Sequence, residues 1–522
     1  MKQKSFSLTG WPGMARVLCF TLFALQAGFL LNQPWVGDYW EHRAVLLELL
    51  QHPFDPQHPI VQATQPHPFY SPYLVGWALV GRAAEISIVP LLNIMAVVNL
   101  LLWLGAVYLL SRMFLPQRNT AQSFTILLLI LLFCWGFDPP NFSSFFHFST
   151  LLYVSPYPST FSFVAAVAAA WLALQLMSHN KTRMHRVVLL TGCILLTAVV
   201  LLTHPLTFFL QLMLMLMGYV QEVQMQQKWF LKKPVIVLSI AVAAAFLLAF
   251  VWPWYPFWQL LQYAEDSHRF HTDSRELYSN IYLELYPLLL PGFLMALQPR
   301  SFWKQQLPFV VALVVAGLLF FYGWFSQQYG WGRMLAFGTI IAQLLVVRFV
   351  LCTPSRVKGT LMFTLTLVLA LPYFIQAISN QVGLLKSTPA VLLSEKAPTT
   401  AQLSPAALAH QLQFVQQQVP TGSLVLANRY CNRYLPGYSI RVVASTFPSY
   451  FITDTTAQQF NWERFFQSSA TAATRRLLLQ QLHPYALLLA PEERWLLAEL
   501  QTQYGWHPVK EANGFILLLS TP

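Results

Sequence analysis

The stretch Gly37-Asp38-Tyr39-Trp40-Glu41-His42 sets two carboxylates, an imidazole and two aromatic rings within five positions. A carboxylate held at the edge of water can deprotonate an acceptor hydroxyl, or orient a metal ion that does so. The same spacing also reads as a capping box: Asp38 opens a helix, Glu41 follows three residues later, and the helix dipole favours both acids. Both readings stand at this point.

Three further places carry chemistry-bearing residues. Arg333, in Tyr329-Gly330-Trp331-Gly332-Arg333-Met334, sits at the end of an apolar segment. There it can clamp phosphate oxygens in bidentate fashion or snorkel to lipid headgroups. His204, in Thr203-His204-Pro205, lies between two apolar segments; it either donates to a phosphate or sugar or belongs to a turn whose Pro205 starts the next helix. Glu265, Asp266, His268 and His271, with Asp273 beyond, offer oxygen and nitrogen ligands for a divalent cation. Their spacing matches no defined metal motif, and a solvated loop is the simpler reading. His52, His58 and His67 each precede a proline and read as turn-fixing residues.

The elements that must hold these residues follow from composition. The chain is 56% hydrophobic and 10% charged, with a mean hydropathy of +0.50. A soluble domain carries about 25% charged residues, so the class is a polytopic α-helical membrane protein. The five cysteines form no CxxC pair, which excludes a disulfide framework or a cysteine metal site. The apolar run at 17–32 reads as an uncleaved first helix rather than a signal peptide.

Eleven apolar segments approach the length that crosses a bilayer: 13–33, 88–111, 122–137, 159–178, 186–203, 205–221, 234–252, 284–298, 307–325, 332–351 and 359–379. With the N-terminus inside, the inner loops hold Arg112, Arg118, Lys181, Arg183, Arg186, Lys228, Lys232, Lys233, Arg300, Lys304, Arg348, Arg356 and Lys358. The outer loops hold Asp38, Glu41, Glu48, Asp55, Glu85, Asp138, Glu265, Asp266, Asp273 and Glu276. This is the positive-inside pattern. It accounts for the net charge of +12 without nucleic acid, and it sets an N-in/C-out topology. The expected domains are 1–380, a transmembrane module with a long first outside loop at 34–87, and 381–522, an extracytoplasmic domain.

Within the first loop, 38–51 has helical spacing, with Val45, Leu46, Leu49 and Leu50 to one side, and reads as an amphipathic helix lying on the membrane. Aromatic residues at 252–258 suit the headgroup level. After Asn380 the composition turns polar. A helix at 404–418, strands at 423–427, 441–445 and 485–490, a helix at 491–503 and a terminal strand pair predict a small α/β domain. It has no GxGxxG or GxxxxGK[ST] loop.

An acid just past the first helix, a long first outside loop with a surface helix, and a C-terminal outside α/β domain together resemble the GT-C class of glycosyltransferases. The likeness covers nearly the whole chain as architecture; its residue motif is the short Gly37-Asp38-Tyr39-Trp40-Glu41. The resemblance implies an enzyme of the inner (cytoplasmic) membrane that moves a sugar from a polyprenyl-phosphate donor to a glycan, lipid or protein acceptor on the outer face. It implies that Asp38 is the catalytic base; many members pair that acid with a directly adjacent one, and here the second acid is displaced to Glu41. It also implies a phosphate-binding arginine in a late outside loop, for which Arg333 is the candidate, beside His204 as a separate candidate donor to the phosphate. A donor-covering loop at 253–283 would contribute the ligands of any divalent cation. A transporter or flippase of a lipid-linked substrate predicts internal repeats and mid-membrane charges, and neither stands out. A non-catalytic envelope scaffold would tolerate loss of the Asp38 carboxylate.

Overall fold

The computed structural model describes residues 10–31, 35, 37–116, 119–177, 182–228, 230–263, 272–353, 355–390, 400, 403–446, 451–452 and 462–520. The chain divides into two compact units. One comprises Met1–Phe29, Ile94–Val251 and Glu265–Gly383 and is helical. The other comprises Leu30–Asn93, Trp252–Ala264 and Leu384–Pro522 and holds the first loop and a β-sheet.

Each of the eleven expected spans contains a helix, but eight are long and apolar enough to cross a membrane: Trp11–Leu31, Ile88–Phe114, Pro158–Met177, Arg183–Thr203, Lys232–Phe250, Arg300–Phe325, Tyr329–Cys352 and Val357–Asn380. By length and composition among the described residues, the expected count of eleven is therefore met in part, by these eight. Thr120–Phe133 has 14 residues and Ile281–Ala296 has 16, about 21 and 24 Å at 1.5 Å per residue, short of a hydrocarbon core of about 30 Å. Thr207–Met225 has 19 residues but ends in Gln221-Glu222-Val223-Gln224.

Small residues and a few polar side chains pack the helical unit. Ala165, Ala166, Ala169, Ala170 and Ala173 are buried along Pro158–Met177, which packs on Arg183–Thr203 and Thr207–Met225; small side chains let backbones approach. A Cβ at Gly218 would come 2.4 Å from Leu174 Cδ1, so a larger residue at this crossing would have to displace the Leu174 side chain. Between helices, Gln211 Nε2 donates to Thr197 Oγ1 at 2.6 Å and Gln343 Nε2 to the carbonyls of Ile130 and Cys134 at 3.2 Å each.

The second unit is built on a five-stranded mixed sheet. Its strands are β1 (Leu424–Leu426), β2 (Arg441–Val442), β3 (Ala486–Leu489), β4 (Trp506–Ala512) and β5 (Phe515–Ser520), in the order β2-β1-β3-β5-β4. β1 is parallel to β2 and β3, while β5 is antiparallel to β3 and β4. β3 is buried at all four residues, which is why it reads as an unbroken apolar run. The first loop extends this sheet: Val442 N–H donates to the Ile60 carbonyl at 2.8 Å, and Val61 bridges Val442 in parallel.

The expected surface helix proves to be a core element. Tyr39–Gln51 buries eight of its 13 residues, including His42 and Arg43 as well as Val45, Leu46 and Leu49. It packs between the Pro72–Ala83 helix and a 3-10 turn at Leu435–Tyr438. Those partners lie far along the chain, so local periodicity alone could not reveal that the polar face would also be covered. The expected 404–418 helix breaks into Pro405–Leu412 and Val415–Gln418.

Candidate functional site

Gly37 turns the chain into the loop helix with φ of +59°, a conformation that favours glycine. Asp38 follows at the N-cap position and is exposed, but its side chain accepts no cap hydrogen bond. Glu41 does not reach back to complete a capping box; its Oε1 lies 3.3 Å from His67 Nε2. His67 Nδ1 accepts from the Phe69 N–H at 3.2 Å, so in the neutral ring Nε2 carries the hydrogen and donates to Glu41. Burial pushes the Glu41 carboxyl up to about 7, with Arg433 pulling it down. Burial also pushes His67 down to about 3. The contact is therefore a hydrogen bond to an acid that titrates near neutrality.

The expectation that histidines set turns is met at two of the three His-Pro steps. His58 Nδ1 accepts from the N–H groups of Ile60 and Val61 at 3.3 and 3.2 Å, and His67 Nδ1 serves Phe69. His52 instead ends the loop helix, its N–H donating to the Glu48 carbonyl at 2.8 Å.

Around Trp35 lies an aromatic box that local reading missed. Trp35, 2% exposed, stacks within 5.1 Å of Tyr438 and edge-on to Tyr434 at 6.2 Å. The buried Arg43 guanidinium lies 4.9 Å from the Trp35 ring and 5.2 Å from Tyr438, and its Nε donates to the Gly437 carbonyl at 2.6 Å. A hydrogen bond plus two cation–π faces offsets the cost of burying this charge. A Cβ on Gly437 would come 2.7 Å from the Trp35 ring, so glycine is required there.

In the helical unit, Arg333 and His204 meet on one hydroxyl. Arg333 ends a 3-10 turn at Tyr329–Arg333. Its Nη1 donates to Ser143 Oγ at 2.8 Å, and its guanidinium lies 5.5 Å from the Phe142 ring. His204 Nε2 is 3.5 Å from the same Ser143 Oγ, and its Nδ1 is 2.7 Å from Thr207 Oγ1. With Thr207 donating to Nδ1, Nε2 carries the hydrogen. Guanidinium, hydroxyl and imidazole then present donors to one place, the chemistry of an anion site. Ser143 was not singled out from sequence, since a serine among aromatics carries no spacing signal.

Two further features belong to the same unit. His147, in the same loop, is buried between Tyr373 Oη at 2.8 Å from Nδ1 and the Pro140 carbonyl at 3.1 Å from Nε2. Burial pushes it down to about 3, so it holds the loop as a neutral ring. Glu284 is 6% exposed, and its Oε2 has no hydrogen-bond partner among the described residues.

The expected metal ligands Glu265, Asp266, His268 and His271 lie outside the described residues, as does the side chain of Asp273. Among the described residues, no group of three or more His, Cys, Asp or Glu could hold a metal ion.

No protein-family model matches the chain, and no curated protein sequence matches it. Solved structures do. The crystal structure of ArnT from Cupriavidus metallidurans in the apo state matches with a TM-score of 0.51 at 11% identity, covering 98% of this chain and 99% of that one. The same protein bound to undecaprenyl phosphate matches with a TM-score of 0.53 at 11% identity, covering 99% and 100%. The likeness is one of fold, and it runs the length of both chains.

Proposed function

We propose that this protein is a GT-C-type glycosyltransferase that moves a sugar from a polyprenyl-phosphate donor to an acceptor on the outer face of the cytoplasmic membrane. The observation that carries the reading is the end-to-end fold likeness to a structure bound to undecaprenyl phosphate. The topology proposed with it is N-in/C-out, with residues 381–522 extracytoplasmic; the loop charges support it, and it needs the three shorter or more polar helices to cross as well.

In this reading Asp38 is the general base. Its carboxylate takes the proton of the acceptor hydroxyl as that oxygen attacks the anomeric carbon. The bond from that carbon to the carrier phosphate breaks, and the polyprenyl phosphate leaves with the electron pair. Support for the role is that Asp38 is exposed and spends no oxygen on capping its helix. Glu41 holds a proton near neutral pH and sits against His67, which suits a second acid that tunes Asp38 rather than replaces it.

Arg333, Ser143 and His204 take the donor phosphate. Their convergent donors stabilise charge as it grows on the leaving oxygen. A divalent cation bound through Glu265, Asp266, His268 and His271 would neutralise further phosphate charge, and the steps above do not depend on it.

The test is sugar transfer from a polyprenyl-phosphate donor by membranes carrying the wild type or Asp38→Asn at equal abundance. The reading expects a loss on the order of a hundredfold or more. Full transfer by Asp38→Asn would remove Asp38 from the mechanism, and with it the enzyme reading in this form.

A further inference from the structure

We infer that Tyr278 is a positioning residue for Arg333: it wedges against the turn that carries the guanidinium and so sets the geometry of the phosphate site. The inference rests on the phosphate-binding reading of Arg333 given above.

The turn Tyr329–Arg333 is a short 3-10 segment in which Trp331 donates to Gln328 twice, from its N–H to the carbonyl and from Nε1 to Oε1, both at 3.1 Å, ties that do not involve Arg333. Gln327, just before it, has φ of +60°, and Gln328 makes no side-chain cap hydrogen bond. Something else must fix where its last residue points. Gly332, immediately before Arg333, is buried, and a Cβ there would come 2.8 Å from Tyr278 Cε2 and 3.2 Å from Leu277 Cβ. The Tyr278 ring thus lies directly on the Gly332 backbone.

The ring is itself held on its other sides. It stacks on Phe320 at 4.4 Å and on Trp324 at 5.3 Å, and meets Tyr329 edge-on at 6.0 Å. A Cβ on Gly323 would come 2.4 Å from Tyr278 Oη and 2.5 Å from Trp331 Cβ. Two glycines on two elements therefore open a slot for one ring. From the opposite direction, Trp331 packs edge-on to Phe209 at 4.9 Å, in the helix that begins at Thr207 beside His204. The turn is clamped between Tyr278 and the helix of its phosphate-site partner. Tyr278 Oη makes no hydrogen bond among the described residues, so the ring and not the hydroxyl does the positioning.

The test is binding of undecaprenyl phosphate to the purified full-length protein in detergent, for wild type, Y278A, Y278F, R333A and the double variant Y278A/R333A. Arg333→Ala should weaken binding about ten- to hundredfold. Tyr278→Ala should weaken it about tenfold by misplacing the guanidinium, and Tyr278→Phe should restore wild-type affinity. In the R333A background, Tyr278→Ala should cost nothing further, because it acts through Arg333. Unchanged affinity in Y278A, or an equal loss in both backgrounds, would overturn the inference. Unchanged affinity in R333A would instead overturn the phosphate reading beneath it. If Y278A is not recovered as monodisperse protein, Y278L takes its place with the same expectations.

Discussion

Arg333 Nη1 donates to Ser143 Oγ at 2.8 Å, which ties the guanidinium proposed for donor binding to a loop serine far from it in the chain. The hydroxyl also lies 3.5 Å from His204 Nε2, so one small side chain orients both phosphate-site candidates. Ser143→Ala should weaken undecaprenyl phosphate binding, by less than Arg333→Ala does, since the guanidinium survives without its guide. A loss of about three- to tenfold is expected for one such hydrogen bond. A titration in which S143A binds like wild type would show that the hydroxyl does not serve the site.

Histidines buried in the first loop make its stability respond to pH. His67 is pushed down to about 3 from an unfolded value of 6.5. Its contribution is therefore fully present above about pH 6.5 and is lost as pH falls toward 3, because the unfolded state binds the proton first. Glu41 runs the other way. Raised to about 7 from 4.5, it contributes fully below pH 4.5 and loses that contribution as pH rises through 7. A His67→Gln variant isolates the first effect, since its amide can still accept from Phe69 and donate to Glu41. The melting-temperature gap between wild type and H67Q should narrow from pH 7.5 to pH 5. A gap that stays constant would mean that His67 does not titrate differently on folding.

Gly437 has no room for a side chain against Trp35. Gly437→Ala should cost about 1–3 kcal/mol through overpacking and shift the indole that sits three residues before Asp38. Thermal unfolding checks the stability. If Trp35 supports Asp38, transfer activity should fall further than the lower stability explains at a temperature where G437A remains folded. Activity equal to wild type there would separate the aromatic box from the chemistry.

Much of this architecture was legible locally, and the exceptions share a cause. Apolar runs and basic loops marked the helices because lipid burial acts on each segment separately. The His58-Pro59 and His67-Pro68 turns were legible because the ring and the N–H groups it accepts from are two or three residues apart. The burial of Tyr39–Gln51 was not, because its cover comes from Leu435–Tyr438. Nor was the true partner of Glu41: the spacing to Asp38 suggested a capping box, while His67 claimed the carboxyl. Arg333 and His204 stood out as polar residues at helix ends, whereas Ser143, which brings them together, had no pattern to announce it.

That Arg333 holds the phosphate of a polyprenyl-phosphate substrate is tested most directly by an experimental structure of the full-length protein with undecaprenyl phosphate bound. The phosphate should lie within hydrogen-bond distance of Arg333, with Ser143 or His204 beside it. A phosphate bound away from Arg333 would contradict the proposed donor site.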